Sequence, residues 1–186
     1  MILTVLTIFL IKSEVSNLKC ADDISSDFYW RDYFGEIPSD ALGGGYDKAG
    51  NPAYIGQLFN HKDGLLPAMI YEGDQSLYAT VRNAPLTQQK YGKILCSHNP
   101  CKYKWIPTDT SKVQSLFSNY TVISGGYENA INIDLYIGRI HYDLEIRIGK
   151  VIVGINSVNG IHIPFGKSYV HFKSYEILVY DKNAKC

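Results

Sequence analysis

The sequence predicts an all-β fold, built from two tandem, pseudo-symmetric antiparallel β repeats that share one core. The main observation is an internal duplication: a Gly-Gly-Tyr stretch that begins at Gly44 returns at Gly125, and Tyr-Ile-Gly at Tyr54 returns at Tyr136. Short runs rich in Tyr, Ile and Val alternate with Gly, Asn and Pro, which is typical of strands and turns. Self-similarity of this kind indicates repeated units that bury their apolar faces against each other.

The composition fits one compact unit. At 186 residues and a hydrophobic share of 46%, the chain is long enough to bury a core, whereas one half of it is too short to do so well. The 18 basic residues balance the 18 acidic ones, which leaves no net field to attract nucleic acid or an anionic membrane. We therefore expect no nucleic-acid partner and no insertion into a membrane.

The N-terminal stretch from Met1 to Ile11 is almost wholly apolar. It is too short to cross a bilayer and is typical of a secretory signal peptide, which we assign to residues 1–19 with cleavage between Ser13 and Cys20. A buried N-terminal strand is the alternative. The signal peptide predicts a secreted, extracellular protein.

Two repeats follow the signal peptide, one at residues 30–97 and the other at residues 105–181. Each opens with a tryptophan, and a short polar segment links them. Only residues 110–117 have a pattern that allows a turn or two of helix. Asn159-Gly160 lies between two apolar runs and predicts a hairpin with a type I′ turn, because that turn needs positive φ at both central residues.

The cysteines Cys20, Cys96, Cys101 and Cys186 make an even count, which favours disulfides in an oxidising compartment. Four cysteines permit three pairings. Our hypothesis joins Cys96 to Cys101 across an Asn-Pro turn and Cys20 to Cys186 across the two ends of the chain. If the signal peptide is cut after Cys20, Cys186 is left unpaired.

Three polar residues lie where a small ligand could be held. Asp47 and Glu128 each follow a Gly-Gly-Tyr motif, and Lys150 lies in a later loop of the second repeat. A carboxylate that accepts from adjacent hydroxyls and an ammonium that donates to them would form a sugar clamp, since charge-assisted hydrogen bonds are the stronger kind. The alternative is that Asp47 and Glu128 only cap turns.

Nothing in the sequence points to catalysis or to a cofactor. The five histidines show neither the spacing of metal ligands nor a partnered nucleophile, and no glycine-rich phosphate loop is present. A zinc site at Cys96, His98 and Cys101 would lack a fourth ligand. We therefore expect a non-enzymatic protein without a metal.

The order of these motifs resembles the DM-nine repeat family, which includes mannose-binding bivalve lectins and the N-terminal part of natterin-like proteins. The resemblance covers nearly the whole chain after the signal peptide and is closer in the second repeat. The motifs that carry it are Gly-Gly-Tyr-Glu at Gly125, Leu-Tyr-Ile-Gly-Arg at Leu135, Ile-Gly-Lys-Val at Ile148, Ile-Pro-Phe-Gly-Lys at Ile163 and Tyr-Glu-Ile-Leu-Val at Tyr175.

The resemblance implies a carbohydrate-binding role, with mannose-type glycans or microbial surface polysaccharide as partners in innate defence. Carried over residue by residue, the acid positions of the sugar site are Asp47 and Glu128, and the lysine position is Lys150. The first repeat has Met69 where the family pattern has lysine. The first site therefore keeps its acceptor and loses its cationic donor.

A shallow monosaccharide site binds at about millimolar strength, so useful affinity needs several sites, and we expect a homodimer or a larger assembly. The alternative role is a secreted protein-interaction effector that keeps the scaffold, has lost sugar binding and exposes an apolar patch around Met69. Asn119 begins the sequence Asn-Tyr-Thr and is the predicted N-glycosylation site.

Overall fold

The computed structural model describes residues 27–186. The predicted signal peptide and Cys20 lie outside the described residues. The first repeat consists of short antiparallel strands joined by tight turns. They are β1 (Phe28–Asp32), β2 (Gly43–Tyr46), β3 (Pro52–Asn60), β4 (Gly64–Tyr71), β5 (Leu77–Val81), β6 (Ala84–Gln88) and β7 (Gly92–Ser97).

The second repeat follows a short 3-10 helix, Pro100–Lys102, and repeats this order with one small insertion. Its elements are β8 (Tyr103–Asp109), α1 (Val113–Asn119), β9 (Thr121–Val122), β10 (Ser124–Glu128), β11 (Ile133–Tyr142), β12 (Glu145–Ile152), β13 (Gly160–Phe165), β14 (Ser168–Phe172) and β15 (Ser174–Tyr180). The predicted helical turn corresponds to α1, and the all-β prediction is confirmed.

Strand pairing shows the pseudo-two-fold symmetry directly. Strands β2, β3 and β4 occupy the same places as β10, β11 and β12, and these six strands pair in a closed ring in the order β3, β2, β12, β11, β10, β4. The hairpin β5–β6 extends from β4 as β13–β14 extends from β12. Strands β7 and β1 extend from β3 as β15 and β8 extend from β11. Each repeat therefore completes the sheet of the other.

The Gly-Gly-Tyr motifs form the joints between the two repeats. Each lies beside a β-bulge, in β2 and in β10, and a Cβ on Gly45 would collide with the carbonyl oxygen of Ile146, as one on Gly126 would with that of Leu65. A residue with a side chain would push the strands of the two repeats apart. The double glycine thus serves the packing of one repeat against the other.

The two repeats share one core, as predicted. One cluster of fully buried side chains contains Ile55 and Met69 from the first repeat together with Ile137 and Ile148 from the second. Another joins first-repeat residues to Leu135 of the second. At about 25 cal/mol per Å² of buried apolar surface, such mixed clusters are the main source of stability and make the two repeats one folding unit.

The predicted disulfide pairing is wrong. Cys101 pairs with Cys186, with a Cα–Cα distance of 5.7 Å, and Cys96 is a buried free thiol among the described residues. The physical reason is the position of the two thiols: Cys96 is fully buried in β7, where it pairs with Tyr29, whereas Cys101 is exposed in the 3-10 helix beyond the end of that strand. The disulfide instead joins the segment that follows β7 to the segment that follows β15, its pseudo-equivalent.

The predicted two-residue turn at Asn159-Gly160 is also wrong, although β12 and β13 do form an antiparallel pair. Seven residues, 153–159, connect the strands, and Gly160 already belongs to β13. The amide side chain of Asn159 instead accepts a hydrogen bond from the backbone of Ile155 at 2.7 Å and closes the longer loop. Across residues 27–186, no helix is long and apolar enough to cross a membrane.

Candidate functional site

Two of the three predicted site residues come together. The Lys150 Nζ donates to Glu128 Oε2 at 2.5 Å, and both side chains are almost wholly buried, with 0% and 1% of their surface exposed. The other carboxylate oxygen of Glu128 accepts the backbone N–H of Arg82 at 2.7 Å. Glu128 is therefore not a simple turn cap, because it forms a buried ion pair whose second oxygen is held by the first repeat.

The strands place this pair with precision. Glu128 is the last residue of β10, next to the point where that strand pairs with Gly64 of β4. Lys150 lies in the middle of β12, flanked by β11 on one side and by β13 on the other, where it is opposite His162. Because both residues sit on sheet strands of a shared core, the pair is held by rigid backbone and does not depend on a mobile loop.

A cavity of about 240 Å³ opens beside the ion pair. Glu128 and Lys150 line it together with polar groups at the β5–β6 turn, with His162 and with aliphatic side chains. The remaining lining residues are Arg82, Asn83, Ala130, Ile131, Ile152 and Val158. Arg82 and Asn83 present donors at this cavity and aliphatic side chains form an apolar wall. The Lys150 and Glu128 side chains lie at its edge with 0% and 1% of their surface exposed, so a ligand has to open their ion pair to reach them.

Burial changes the titration of two of these groups. Loss of hydration lowers the pKa of Lys150, and the adjacent Glu128 carboxylate acts in the opposite direction. Burial also lowers the pKa of His162 to about 4, with Lys150 and His171 adding to the effect. His162 is therefore neutral at physiological pH.

The contacts of His162 show which of its two ring nitrogens has no hydrogen-bond partner. The ring stacks on His171 with centroids 4.4 Å apart, and Nε2 lies 2.8 Å from the carbonyl oxygen of Val158. A carbonyl oxygen only accepts, so Nε2 carries the proton and Nδ1 is an acceptor. Within residues 27–186, this buried Nδ1 has no hydrogen-bond partner. His162 lines the cavity and thus has one acceptor that no group within the described residues uses.

Asp47, the predicted acid of the first repeat, does not join any such pair. Its Oδ1 accepts the backbone N–H groups of Ala49 and Asn51, at 2.9 and 2.8 Å, and its Oδ2 accepts the side-chain amide of Asn51. These bonds, the one from the Asn51 side chain above all, lower the pKa of Asp47. The turn-cap alternative is what the structure shows at Asp47, whereas Glu128 forms a buried ion pair with Lys150, and its role as a ligand residue stays a prediction.

Met69 occupies the position of Lys150 in the first repeat. It lies opposite Tyr78 of β5, as Lys150 lies opposite His162 of β13, which confirms the alignment of the two repeats by register. Met69 is 1% exposed and belongs to the shared core. The apolar surface patch expected around it is therefore absent from the described surface, because the side chain points inward.

Sequence reasoning missed two groups around the pair. Arg82 donates its backbone N–H to Glu128 from the β5–β6 turn of the first repeat. No motif near Glu128 in the sequence could reveal this contact. His162 was considered only as a metal ligand. Its place two residues before the Pro-Phe-Gly-Lys motif becomes meaningful only once β13 is paired with β12. Across residues 27–186, no group of three or more His, Cys, Asp or Glu side chains is arranged to hold a metal ion.

The predicted glycosylation site remains a prediction. Asn119 is exposed at the last residue of α1, and Thr121 of the same sequon is exposed as well. An exposed sequon meets the requirement of access for a glycosyl group.

The family comparison agrees with this architecture. Residues 58–159 match the DM9 repeat, which is more than half of the chain, and the protein therefore belongs to the DM9 repeat family. This family is associated with carbohydrate binding and is not known as an enzyme family. No curated protein matches the sequence significantly.

Proposed function

We propose that the protein is a secreted, non-catalytic lectin that binds mannose-type glycans through the Glu128–Lys150 pair and takes part in the recognition of microbial surfaces. The single observation that carries the proposal is a buried ion pair on the wall of a cavity of ligand size. The remaining donors of Lys150 and the second lone pairs of Glu128 would hold adjacent hydroxyls of a pyranose.

Stability alone is a poor explanation for this ion pair. A buried salt bridge is often no more stabilising than a well-packed apolar pair of similar volume, because both ions lose their hydration. The first repeat demonstrates this within the same chain: Met69 fills the lysine position there, and the same strands form around it. A group that the scaffold does not need is a candidate for ligand binding.

Secretion is supported by the apolar N-terminal stretch and by the Cys101–Cys186 disulfide, since disulfides persist in oxidising compartments. The exposed Asn119 sequon is compatible with the same route. Detection of the mature chain in the medium of expressing cells, with N-terminal sequencing, tests this part of the proposal. A chain retained in the cytosol with its first residues intact would contradict it.

A titration of the ¹⁵N-labelled protein with methyl α-mannoside, followed by NMR, tests the sugar site. We expect the amide signals of Ala130 and Ile131 to shift with a Kd of about 1 mM, as for a shallow monosaccharide site. Lys150→Met copies the residue of the first repeat and should abolish these shifts, and Glu128→Gln should weaken binding at least about tenfold.

Asp47→Asn is the matched control, because it changes the carboxylate at the equivalent sequence position without touching the cavity. It should leave binding at Ala130 and Ile131 unchanged. A wild-type protein that responds neither to mannosides nor to mannan would disprove the proposed function. A Lys150→Met variant that folds and still binds would show that the ligand uses other groups.

A second candidate role is self-association through an aromatic patch formed by Phe34, Phe59 and Tyr91. Phe34 is 87% and Tyr91 75% exposed, and all three side chains line one cleft of about 620 Å³. We propose a second copy as the occupant, because millimolar sites need to be multiplied to give useful avidity. Exposed apolar patches of this kind mark interaction surfaces.

Sedimentation velocity at concentrations up to about 0.1 mM tests the homodimer. The wild type should sediment as a dimer, and a Phe34→Ser/Tyr91→Ser variant should sediment as a monomer. Leu144→Ser, at another exposed apolar residue, is the control and should remain dimeric. A monomeric wild type across this range would rule out the patch as a dimer interface.

A further inference from the structure

The first repeat contains a cleft that corresponds to the cavity beside Glu128 and Lys150. It has a volume of about 250 Å³, and its wall includes Met69 and Tyr78, the register equivalents of Lys150 and His162. The β13–β14 turn borders it at Pro164 and Gly166, just as the β5–β6 turn borders the cavity of the second repeat. The pseudo-two-fold symmetry therefore produces two cavities, although the predicted residues Asp47 and Met69 supply no donor–acceptor pair to the first.

Arg147 lines this cleft and forms an ion pair with Glu145, which does not itself line it. The Arg147 Nη2 is 2.9 Å from Glu145 Oε2, and the same carboxylate oxygen accepts the hydroxyl of Tyr71 at 2.8 Å. The side chains of Arg147 and Glu145 are 13% and 8% exposed. Both residues belong to β12 of the second repeat, which crosses to pair with β2 of the first.

The Arg147–Glu145 pair is chemically similar to the Lys150–Glu128 pair. In each, a cation donates to a carboxylate, and the carboxylate has one further donor from the first repeat, which is the Arg82 N–H in one case and the Tyr71 hydroxyl in the other. Arg147 also donates through Nη1 to the carbonyl oxygen of Pro164 at 2.9 Å. Its buried Nε has no hydrogen-bond partner within residues 27–186. A buried donor without a partner is unfavourable, and a ligand oxygen would supply the missing acceptor.

We propose that the first-repeat cleft is a second carbohydrate site, in which Arg147, held in place by Glu145, replaces the donor lost at Met69. The charges of Arg147 and Glu145 cancel, so the site suits a neutral pyranose with adjacent hydroxyls. The rings of Tyr71 and Tyr78 meet edge to face, with centroids 5.6 Å apart, and supply an apolar wall for the carbon–hydrogen face of the sugar.

This inference rests on the proposed function, and the two are separable by experiment. The wild-type protein is titrated with methyl α-mannoside, and amide shifts are read separately at Tyr78 and Thr87 for the first cleft and at Ala130 and Ile131 for the second. Calorimetry gives the number of sites. We expect both regions to respond and two ligands to bind per chain.

Arg147→Lys keeps a charge beside Glu145 and removes the Nε donor. It should weaken binding at the first cleft at least tenfold while the second cleft keeps its affinity. Arg147→Met should remove the first-site response, and if that variant does not fold, the lysine variant still decides the result. Lys167→Met, at an exposed cation on the neighbouring turn, is the control and should not change either response.

The outcomes differ for the two proposals. Shifts at the second cleft alone, or an Arg147→Lys variant with an unchanged response at Tyr78, would overturn the first-cleft site and leave the proposed function standing. A loss of thermal stability in Arg147→Lys without any change in affinity would show that Arg147 only ties β12 to Pro164, which also overturns the site. No response at either cleft contradicts both proposals.

Discussion

The two repeats have the same arrangement of strands, but equivalent positions in them carry different side chains and make different contacts. In the second repeat, Glu128 turns inward at the end of β10 and meets Lys150, whereas in the first repeat Asp47 turns back onto its own loop and Met69 fills the lysine position with an apolar side chain. Asp47 has a shorter side chain, and the loop amides of Ala49 and Asn51 satisfy it locally. Asp47 is one methylene group shorter than Glu128, and it caps a turn at the surface where Glu128 forms a buried ion pair.

The comparison shows that the same strands form around a buried ion pair in one repeat and around an apolar side chain in the other. The fold itself depends on glycines that are present in both repeats and on one apolar core to which both repeats contribute. The polar residues at the cavities are free to differ because the strands that carry them are held by other contacts. This is the physical reason to propose Glu128 and Lys150 as binding residues.

The largest expected effect comes from breaking the ion pair on one side. Glu128→Leu leaves the Lys150 ammonium buried without a carboxylate and should lower the free energy of unfolding by about 3 to 5 kcal/mol. Adding Lys150→Met makes the second repeat resemble the first and should recover most of that loss, apart from the cost of the Arg82 N–H that loses its acceptor. Urea unfolding of the two single variants and the double variant measures the coupling.

Additive losses in this cycle would mean that the two side chains do not interact in solution. A double variant no more stable than Glu128→Leu would mean that the second repeat, unlike the first, needs a polar pair at this position.

Acid should weaken the second repeat through His162. The pKa of His162 is about 4 in the folded protein and 6.5 in the reference state, so the unfolded chain binds a proton that the folded one does not between these values. Stability is therefore full above pH 6.5 and falls as the pH drops to about 4, by about 3 kcal/mol at most. Tyr78 stands at this position in the first repeat, which has no such histidine.

His162→Gln should flatten the pH dependence of the unfolding free energy between pH 6.5 and 4, and His61→Gln, at an exposed histidine, should not. Chemical denaturation at several pH values gives both curves. An unchanged slope in the His162 variant would assign the acid sensitivity to other groups.

Putting a lysine into the first repeat should harm the protein without restoring the predicted site. Met69→Lys places an ammonium where Asp47 does not meet it, and its burial should cost at least about 2 kcal/mol, since an unpaired buried charge costs more than an unpaired neutral donor. We expect a lower midpoint of thermal unfolding and no gain in mannoside affinity. Met69→Leu, which keeps the side chain apolar, is the matched control. A stable Met69→Lys variant with a new, Asp47-dependent site would show that the loop of Asp47 can reorganise.

The smallest effect is expected at Asp47. Asp47→Asn weakens the hydrogen bonds to Ala49 and Asn51 in an exposed loop and should change the unfolding midpoint less than any variant above, with no effect on ligand binding at either cleft. NMR shifts confined to residues 48–51 would confirm that reading. A loss of sugar binding in this variant would restore Asp47 as a ligand residue.

Much of the architecture was predictable, and the limits follow from particular residues. The duplicated Gly-Gly-Tyr motifs predicted two repeats with one core, and the family pattern predicted Glu128 and Lys150 at one ligand site, although not their direct ion pair. The disulfide was not predictable, because Cys96 and Cys101 are close in sequence but are separated by the end of β7, with one thiol in the core and the other on the surface. Asp47 and Glu128 could not be told apart, since both follow the same motif.

By itself, the sequence determined the fold class, the duplication, the shared core and the membership of the DM9 repeat family, because each of these depends on local pattern repeated along the chain. Only the tertiary structure decided which carboxylate faces a cavity and which cysteines meet. It also brought Arg147 and Glu145 of the second repeat to the cleft of the first. These contacts join residues from different repeats across the sheet, and strand register, which no local motif encodes, sets them.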